Sequence, residues 1–186
     1  MSDLAALAVQ AAEELHQGVA AVSPDEFAAL ATAIAGAKAI VLYGCGREGL
    51  MMRALAMRLH HLGRSVHMQG DMSCPPVGSG DLFLVASGPG RLATVAALMA
   101  QARAGGARIA CLTAEPTGPD PQAADLVLTI PVQTMARDGA GATSVLPMGS
   151  VFEGALFLLF ELLVLDLRRR LNQSAEAMRA RHANLE

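Results

Sequence analysis

The pentapeptide Ala39-Ile40-Val41-Leu42-Tyr43 leaves a β-strand almost no polar face to turn toward water. A half-solvated strand alternates apolar and polar side chains, whereas a strand covered on both faces reads as a continuous apolar run. The same texture returns in Leu82-Phe83-Leu84-Val85-Ala86 within 81–87, at 107–113 and 125–131, and in a shorter segment at 65–69. Helical periodicity fills the intervals. Leu4, Leu7, Ala8, Ala11, Ala12 and Leu15 fall at i, i+3, i+4 spacing over 3–20. Ser23-Pro24-Asp25-Glu26 opens a second helix, with Ser23 at the N-cap, Pro24 in the first turn and Glu26 placed to close an S-x-x-E capping box. That helix runs to about residue 35 and ends at Gly36. Further helices are predicted over 50–61, from the turn after Ser87 to about 104, over 151–171 and near 175–181. Strands that alternate with helices and are apolar throughout make an α/β protein: a three-layer α/β/α sandwich on a five-stranded parallel sheet with right-handed crossovers. No repeat or linker interrupts the pattern. One domain is expected over 1–186, with N-terminal helices at 1–36, the sheet core at 37–149, and C-terminal helices and tail at 150–186.

Apolar residues make up 53% of the chain and charged residues 17%, which supplies a core and excludes a charge-rich disordered protein. A formal net charge of −3, with one Tyr, five Phe and no Trp, offers neither an electrostatic footprint nor a stacking platform for nucleic acid. Cys45, Cys74 and Cys111 lack paired spacing and read as reduced thiols of a cytoplasmic protein. No metal-ligand spacing is present, since adjacent His60 and His61 project from different helix faces. The acidic N-terminus has no basic signal-peptide region. The most apolar segment, 156–167, carries Glu161 and Asp166 and is expected to be too short and too charged to span a bilayer, so no membrane partner is expected. The helix predicted over 151–171 is nevertheless apolar nearly all the way round. One sheet face cannot hide that circumference, so the N-terminal helices, another subunit, or both must cover the rest.

Ligands of open α/β sheets bind beyond the carboxyl ends of the strands, near the point where the strand order reverses. Three loops should meet there: 44–49, 87–91 and the stretch before Val151. Gly44-Cys45-Gly46-Arg47-Glu48-Gly49 fits G-x-G-x-x-G between a strand and a helix. One reading is dinucleotide binding, with Asp71 as the ribose-binding acid; the other is a tight turn with close helix–sheet packing. Asp71 follows Gln69-Gly70 rather than ending the strand, and a single sheet consumes the chain, so the first reading is the weaker. Ser87-Gly88-Pro89-Gly90-Arg91 repeats the logic. Small residues before a helix expose N–H groups at the positive end of its dipole, to which Ser87 adds a hydroxyl and Arg91 a guanidinium suited to phosphate. The alternative is an ordinary connection with a solvated arginine. Pro147-Met148-Gly149-Ser150-Val151-Phe152-Glu153 opens the long apolar helix. Ser150 and Glu153 stand at capping-box spacing, and a first-turn carboxylate facing a cleft is also a candidate general base.

The Gly-Arg turn followed by MRALAMRLHHLG, the strand ending Ser-Gly-x-Gly, PMGSVFE and the terminal RHANLE together resemble the 6-phospho-3-hexuloisomerases of the sugar isomerase (SIS) domain family. The resemblance runs from the first helix to the last residue, and PMG-x-x-FE and RHANLE are its specific parts. It implies a flavodoxin-like SIS domain, usually a homotetramer with active sites at subunit interfaces. It also implies interconversion of 3-hexulose 6-phosphate and fructose 6-phosphate through a cis-enediol, with no metal or other cofactor. By position, Gly46 and Arg47 correspond to the family's GxGRSG turn; Ser87, Gly88 and Gly90 correspond to its SGSGET phosphate loop. Glu153 corresponds to its proposed catalytic carboxylate and His182 to the His of its tail. Glu153 would then take the proton from C2, with reprotonation at C3, while His182 of a neighbouring subunit moves a proton between the oxygens. Read without the resemblance, His182 is a residue of a frayed tail. This chain departs from the family pattern at Glu48, where a Ser is usual, and at Pro89, Arg91 and Leu92. Pro89 removes a hydroxyl and an N–H, and each lost charge-assisted phosphate hydrogen bond is worth roughly 1.5–3 kcal/mol. Arg91 takes a position that is acidic in the family, so an exchanged Glu48–Arg91 ion pair is expected. Two function classes stay open: a phosphosugar isomerase, and a non-catalytic SIS module that binds a sugar phosphate or related carbohydrate derivative.

Overall fold

Strands β1 (Ile40–Gly44), β2 (Val66–Met68), β3 (Leu82–Ala86), β4 (Arg108–Thr113) and β5 (Leu126–Thr129) pair in parallel in the order β2-β1-β3-β4-β5. This is the doubly wound order of flavodoxin-like sheets, with its switch point between β1 and β3. Ile40 stands opposite Leu82 and Gly44 opposite Ala86, so the turns after these two strands leave the sheet side by side. The computed structural model describes residues 3–139 and 142–185. Met1, Ser2, Ala140, Gly141 and Glu186 lie outside it, and with them two residues of the stretch before Val151 and the last residue of the RHANLE motif.

Alternation along the strands sends side chains to opposite layers. Ile40, Leu42, Leu82, Leu84 and Leu112 enter one core; Val41, Phe83, Val85, Ile109 and Cys111 enter the other. The first and larger core lies under α2 (Pro24–Gly36), α3 (Gly46–His61) and α6 (Ser150–Arg170), with α1 (Leu4–Ala20) laid against α6. Helix α4 (Ala93–Ala104) covers the second core through Val95, Met99 and Ala102, and the four-residue α5 (Pro119–Gln122) sits beside β4. A short α7 (Ala175–Arg179) packs on α3. The expected three-layer α/β sandwich with five parallel strands is the observed fold.

Local expectations fared less evenly. Helix α3 begins four residues earlier than the periodicity implies, because Gly46 enters it at φ 55° behind an N-cap, Cys45, that makes no side-chain hydrogen bond. Arg47 and Glu48 are thereby first-turn helix residues rather than loop residues. At the start of α2, Ser23 Oγ accepts from the Glu26 N–H at 3.4 Å, but Glu26 does not return the bond. Its carboxylate crosses to β5 and accepts from the Thr129 N–H at 2.7 Å, tying helix to sheet edge.

Helix α6 also corrects the expectation about span length. The 24 residues from Pro147 to Arg170, a short 3-10 turn followed across the Met148–Gly149 corner by α6, are long and apolar enough by length and composition to cross a bilayer. Half of its most apolar stretch is buried, and it packs against α1, α2 and α3 as a core helix does. Phe157, Leu158, Leu162 and Leu165 remain outward and exposed.

Candidate active site

The turn after β1 is shaped by close contact. A Cβ on Gly49 would lie 2.5 Å from the Gly44 carbonyl oxygen, so the start of α3 can approach the end of β1 only with glycine there. That accounts for the G-x-G-x-x-G spacing through packing. Asp71, the residue a dinucleotide reading would need, is half-exposed and pairs with Arg53 at 3.5 Å.

Arg47 points from this first turn to the entrance of α6. Its guanidinium donates to Ser150 Oγ at 3.0 Å and to the Met148 carbonyl, and its Nε lies 3.4 Å from Glu153 Oε1. Met148 and Gly149 both adopt left-handed backbone, at φ 57° and 71°, which turns the chain sharply into α6. Asp138 Oδ2 accepts the Met148 N–H at 2.6 Å and holds the corner from the other side. The capping box proposed for Ser150 and Glu153 does not form. Gly149 is the N-cap, Ser150 is already helical, and its hydroxyl donates to the Pro147 carbonyl at 2.8 Å. Glu153 is therefore free of capping duty. Its side chain is only 16% exposed, and Oε2 is buried with no hydrogen-bond partner. Buried polar atoms are nearly always paired, so this orphaned carboxylate oxygen at the switch point keeps Glu153 a candidate base.

Glu48 faces the neighbouring turn. It is 8% exposed, and the Gly88 N–H donates to both carboxylate oxygens, at 3.1 and 3.2 Å. Burial pushes its carboxyl up to about 7; the Gly88 bond opposes this, Glu153 adds to it and Arg47 works against it. Gly88 has no room for a side chain, because a Cβ would meet Glu48 Oε1 at 2.7 Å and the Phe152 ring at 2.8 Å. Ser87 is fully buried and donates its hydroxyl to Asp120 Oδ2 at 2.6 Å. The same oxygen accepts the Leu92 N–H at 2.8 Å. Asp120, 2% exposed, was not singled out from the sequence, since a four-residue helix carries no periodicity to mark it.

Gly46, Arg47, Glu48, Ser87, Gly88 and Glu153 thus converge where β1 and β3 part. Three predicted site residues, Gly90, Arg91 and His182, do not join them. Gly90, at φ 70°, turns the chain so that exposed Arg91 lines a groove of about 520 Å³ between α4 and α5 with Met99, Arg103 and Pro119. Among the described residues it makes no ion pair with Glu48, and the expected exchange of charges is absent because the Gly88 N–H, not a cation, meets Glu48. His182 lies at the opposite end of α3, its ring stacked on His61 with centroids 5.3 Å apart. Fourteen helical steps separate Arg47 from His61, a rise of about 21 Å. Among the described residues no three His, Cys, Asp or Glu side chains gather as a metal-binding group.

The SIS domain model matches residues 33–159 of this chain. The 3-hexulose-6-phosphate isomerase of Bacillus subtilis is 34% identical over 173 residues, covering 93% of this chain and 94% of that protein. The enzyme of the same name from Mycobacterium gastri is 38% identical over 174 residues, covering 94% and 87%. A crystal structure from Methanococcus jannaschii, described as inferring a 3-hexulose-6-phosphate isomerase function, superposes with a TM-score of 0.78 at 30% identity over 87% of this chain and 86% of that one.

Proposed function

The chain belongs to the SIS domain family, and from that premise we propose that it is a phosphosugar isomerase interconverting a 3-hexulose 6-phosphate and fructose 6-phosphate. The observation that carries this reading is the orphaned, buried Oε2 of Glu153 beside the Arg47 guanidinium. Relatives of matching length that bear the isomerase name at 34% and 38% identity support the substrate class. In the forward direction Glu153 Oε2 takes the proton from C2, α to the C3 carbonyl. The electron pair forms the C2–C3 double bond of a cis-enediol, and the same carboxyl returns a proton to C3. The O2 proton must also pass to O3, the step assigned to His182. Arg47 keeps Glu153 Oε1 engaged, leaving Oε2 to face the substrate. All proton transfers are carried by side chains, with no metal or cofactor in the scheme.

His182 is too far from Glu153 of its own chain, so this scheme takes it from a second copy, in a homotetramer with sites between subunits. The whole of 1–186 acts as one SIS unit in the cytoplasm. A second reading, a binding module without turnover, is favoured by the hydrogen bonds of the Ser87 hydroxyl and of the Gly88 and Leu92 N–H groups, which already go to protein carboxylates.

Deuterium entry at C3 of fructose 6-phosphate in D2O, followed by NMR, separates the two. The enzyme should exchange C3–H, and Glu153→Gln should slow exchange about 10²–10⁴-fold with the fold unchanged. Phosphosugar binding without any exchange in the wild type assigns the chain to the binding class.

A further inference from the structure

We propose that Glu48 sets the substrate requirement of this site: its carboxylate occupies the anion position on the Gly88 N–H, so that a phosphosugar binds only after Glu48 has taken up a proton. The inference rests on the phosphosugar reading above. The anion position is visible in the molecule itself, because the Gly88 amide already holds both oxygens of a buried carboxylate. Three further donors of this turn are committed. The Ser87 hydroxyl and the Leu92 N–H go to Asp120, the Gly90 N–H goes to the Ser87 carbonyl at 2.9 Å, and Pro89 has none.

The charges around Glu48 make a second anion expensive. From its own helix it faces Arg47 and from α6 it faces Glu153; Cys111 of β4 feels both Glu48 and Asp120 of α5. Among the described residues Arg47 is the cation that acts on Glu48, and it is already divided among Glu153, Ser150 and the Met148 carbonyl. A phosphate dianion placed beside an ionised Glu48 would therefore meet two carboxylates and a cation with little charge to spare. A proton on Glu48 removes one of those charges and weakens its hold on the Gly88 N–H, since a neutral carboxyl accepts less strongly than a carboxylate. The cost is small near neutrality, because burial already brings the carboxyl to about 7.

The experiment is calorimetric titration of fructose 6-phosphate into wild type and Glu48→Gln between pH 6 and 9. Glutamine keeps the shape of the protonated acid but does not titrate. The ratio of the wild-type Kd to the variant Kd should be near one at pH 6, about tenfold at pH 8 and about a hundredfold at pH 9, following the falling fraction of protonated Glu48. At pH 8 the wild type should also take up about one proton per ligand bound, read from buffers of different ionisation enthalpy, and the variant none. Glu48→Ser serves as the second non-titrating variant if Gln disturbs folding. A ratio that stays flat with pH, in a protein that exchanges deuterium at C3, overturns the role of Glu48 and leaves the isomerase standing. A rising ratio without exchange keeps Glu48 and overturns turnover. Failure of wild type and both variants to bind fructose 6-phosphate at pH 6 overturns both.

Discussion

Glu48 and Glu153 each sit in the first turn of a helix at the same switch point, yet their surroundings ask different things of them. Glu153 keeps one oxygen on Arg47 and the other without a partner, whereas both oxygens of Glu48 rest on one amide. The raised carboxyl of Glu48 has a consequence for stability that needs no substrate. The folded chain holds this proton more tightly than the unfolded chain, so the group's contribution is fully present below about 4.5 and is lost as pH rises through about 7. The shift caps the loss at roughly 3 kcal/mol. Glu48→Gln should remove this part of the pH dependence. Urea unfolding should therefore show the variant gaining about 1–3 kcal/mol on the wild type between pH 4.5 and pH 8. Parallel pH profiles for the two proteins would mean that Glu48 is not held as described.

The corner that starts α6 belongs to the element scale, since a whole helix is aimed by two left-handed residues. A Cβ on Gly149 would lie 2.3 Å from the Met135 nitrogen and 2.6 Å from the Thr134 carbonyl carbon, both backbone atoms that cannot swing aside. Gly149→Ala should destabilise the protein by about 2–4 kcal/mol, counting left-handed strain together with the clash. It should also lower C3 exchange at temperatures where the fold survives, because Glu153 rides on that corner; a variant with unaltered melting and exchange would deny the corner this role. The PMG spacing made Glu153 conspicuous in the sequence, but not its freedom from capping, which depends on Gly149 serving as N-cap. Strands were legible because burial on both faces writes itself as unbroken apolar runs. Helix ends were less so. Gly46 opens α3 against its propensity, so Arg47 and Glu48 looked like loop residues. Glu26 matched a capping box by spacing, yet a strand-edge N–H 103 residues away claimed its carboxylate. Asp120 and the turning of Arg91 away from Glu48 are long-range outcomes of how α5 and Gly90 pack, and no local pattern encodes them.

For the whole molecule, the distribution of the two proposed catalytic groups points beyond one chain. Glu153 of α6 pairs with Arg47 at the start of α3, and His182 stacks on His61 at the end of α3, a rise of about 21 Å from Arg47 along the helix axis. Helix α6 leaves Phe157, Leu158, Leu162 and Leu165 exposed, and α3, bridged to it by Arg58 and Glu161 at 2.9 Å, adds exposed Leu50 and Met57. Such apolar area on two adjoining helices is what a second copy would cover, and it sets the expectation that light scattering finds an oligomer rather than the 19.2 kDa chain. Complementation tests the shared site directly. Glu153→Gln lacks the base and His182→Ala lacks the proton carrier. If each site takes Glu153 from one copy and His182 from another, a mixed pair regains one intact site and one doubly impaired site. Equal amounts of the two variants, unfolded and refolded together, should then recover about one quarter of wild-type C3 exchange, well above either variant alone. If His182 serves its own chain, every site in the mixture keeps one defect, and exchange stays at the average of the two variants. That outcome, or a stable monomer with full activity, would remove the inter-subunit site.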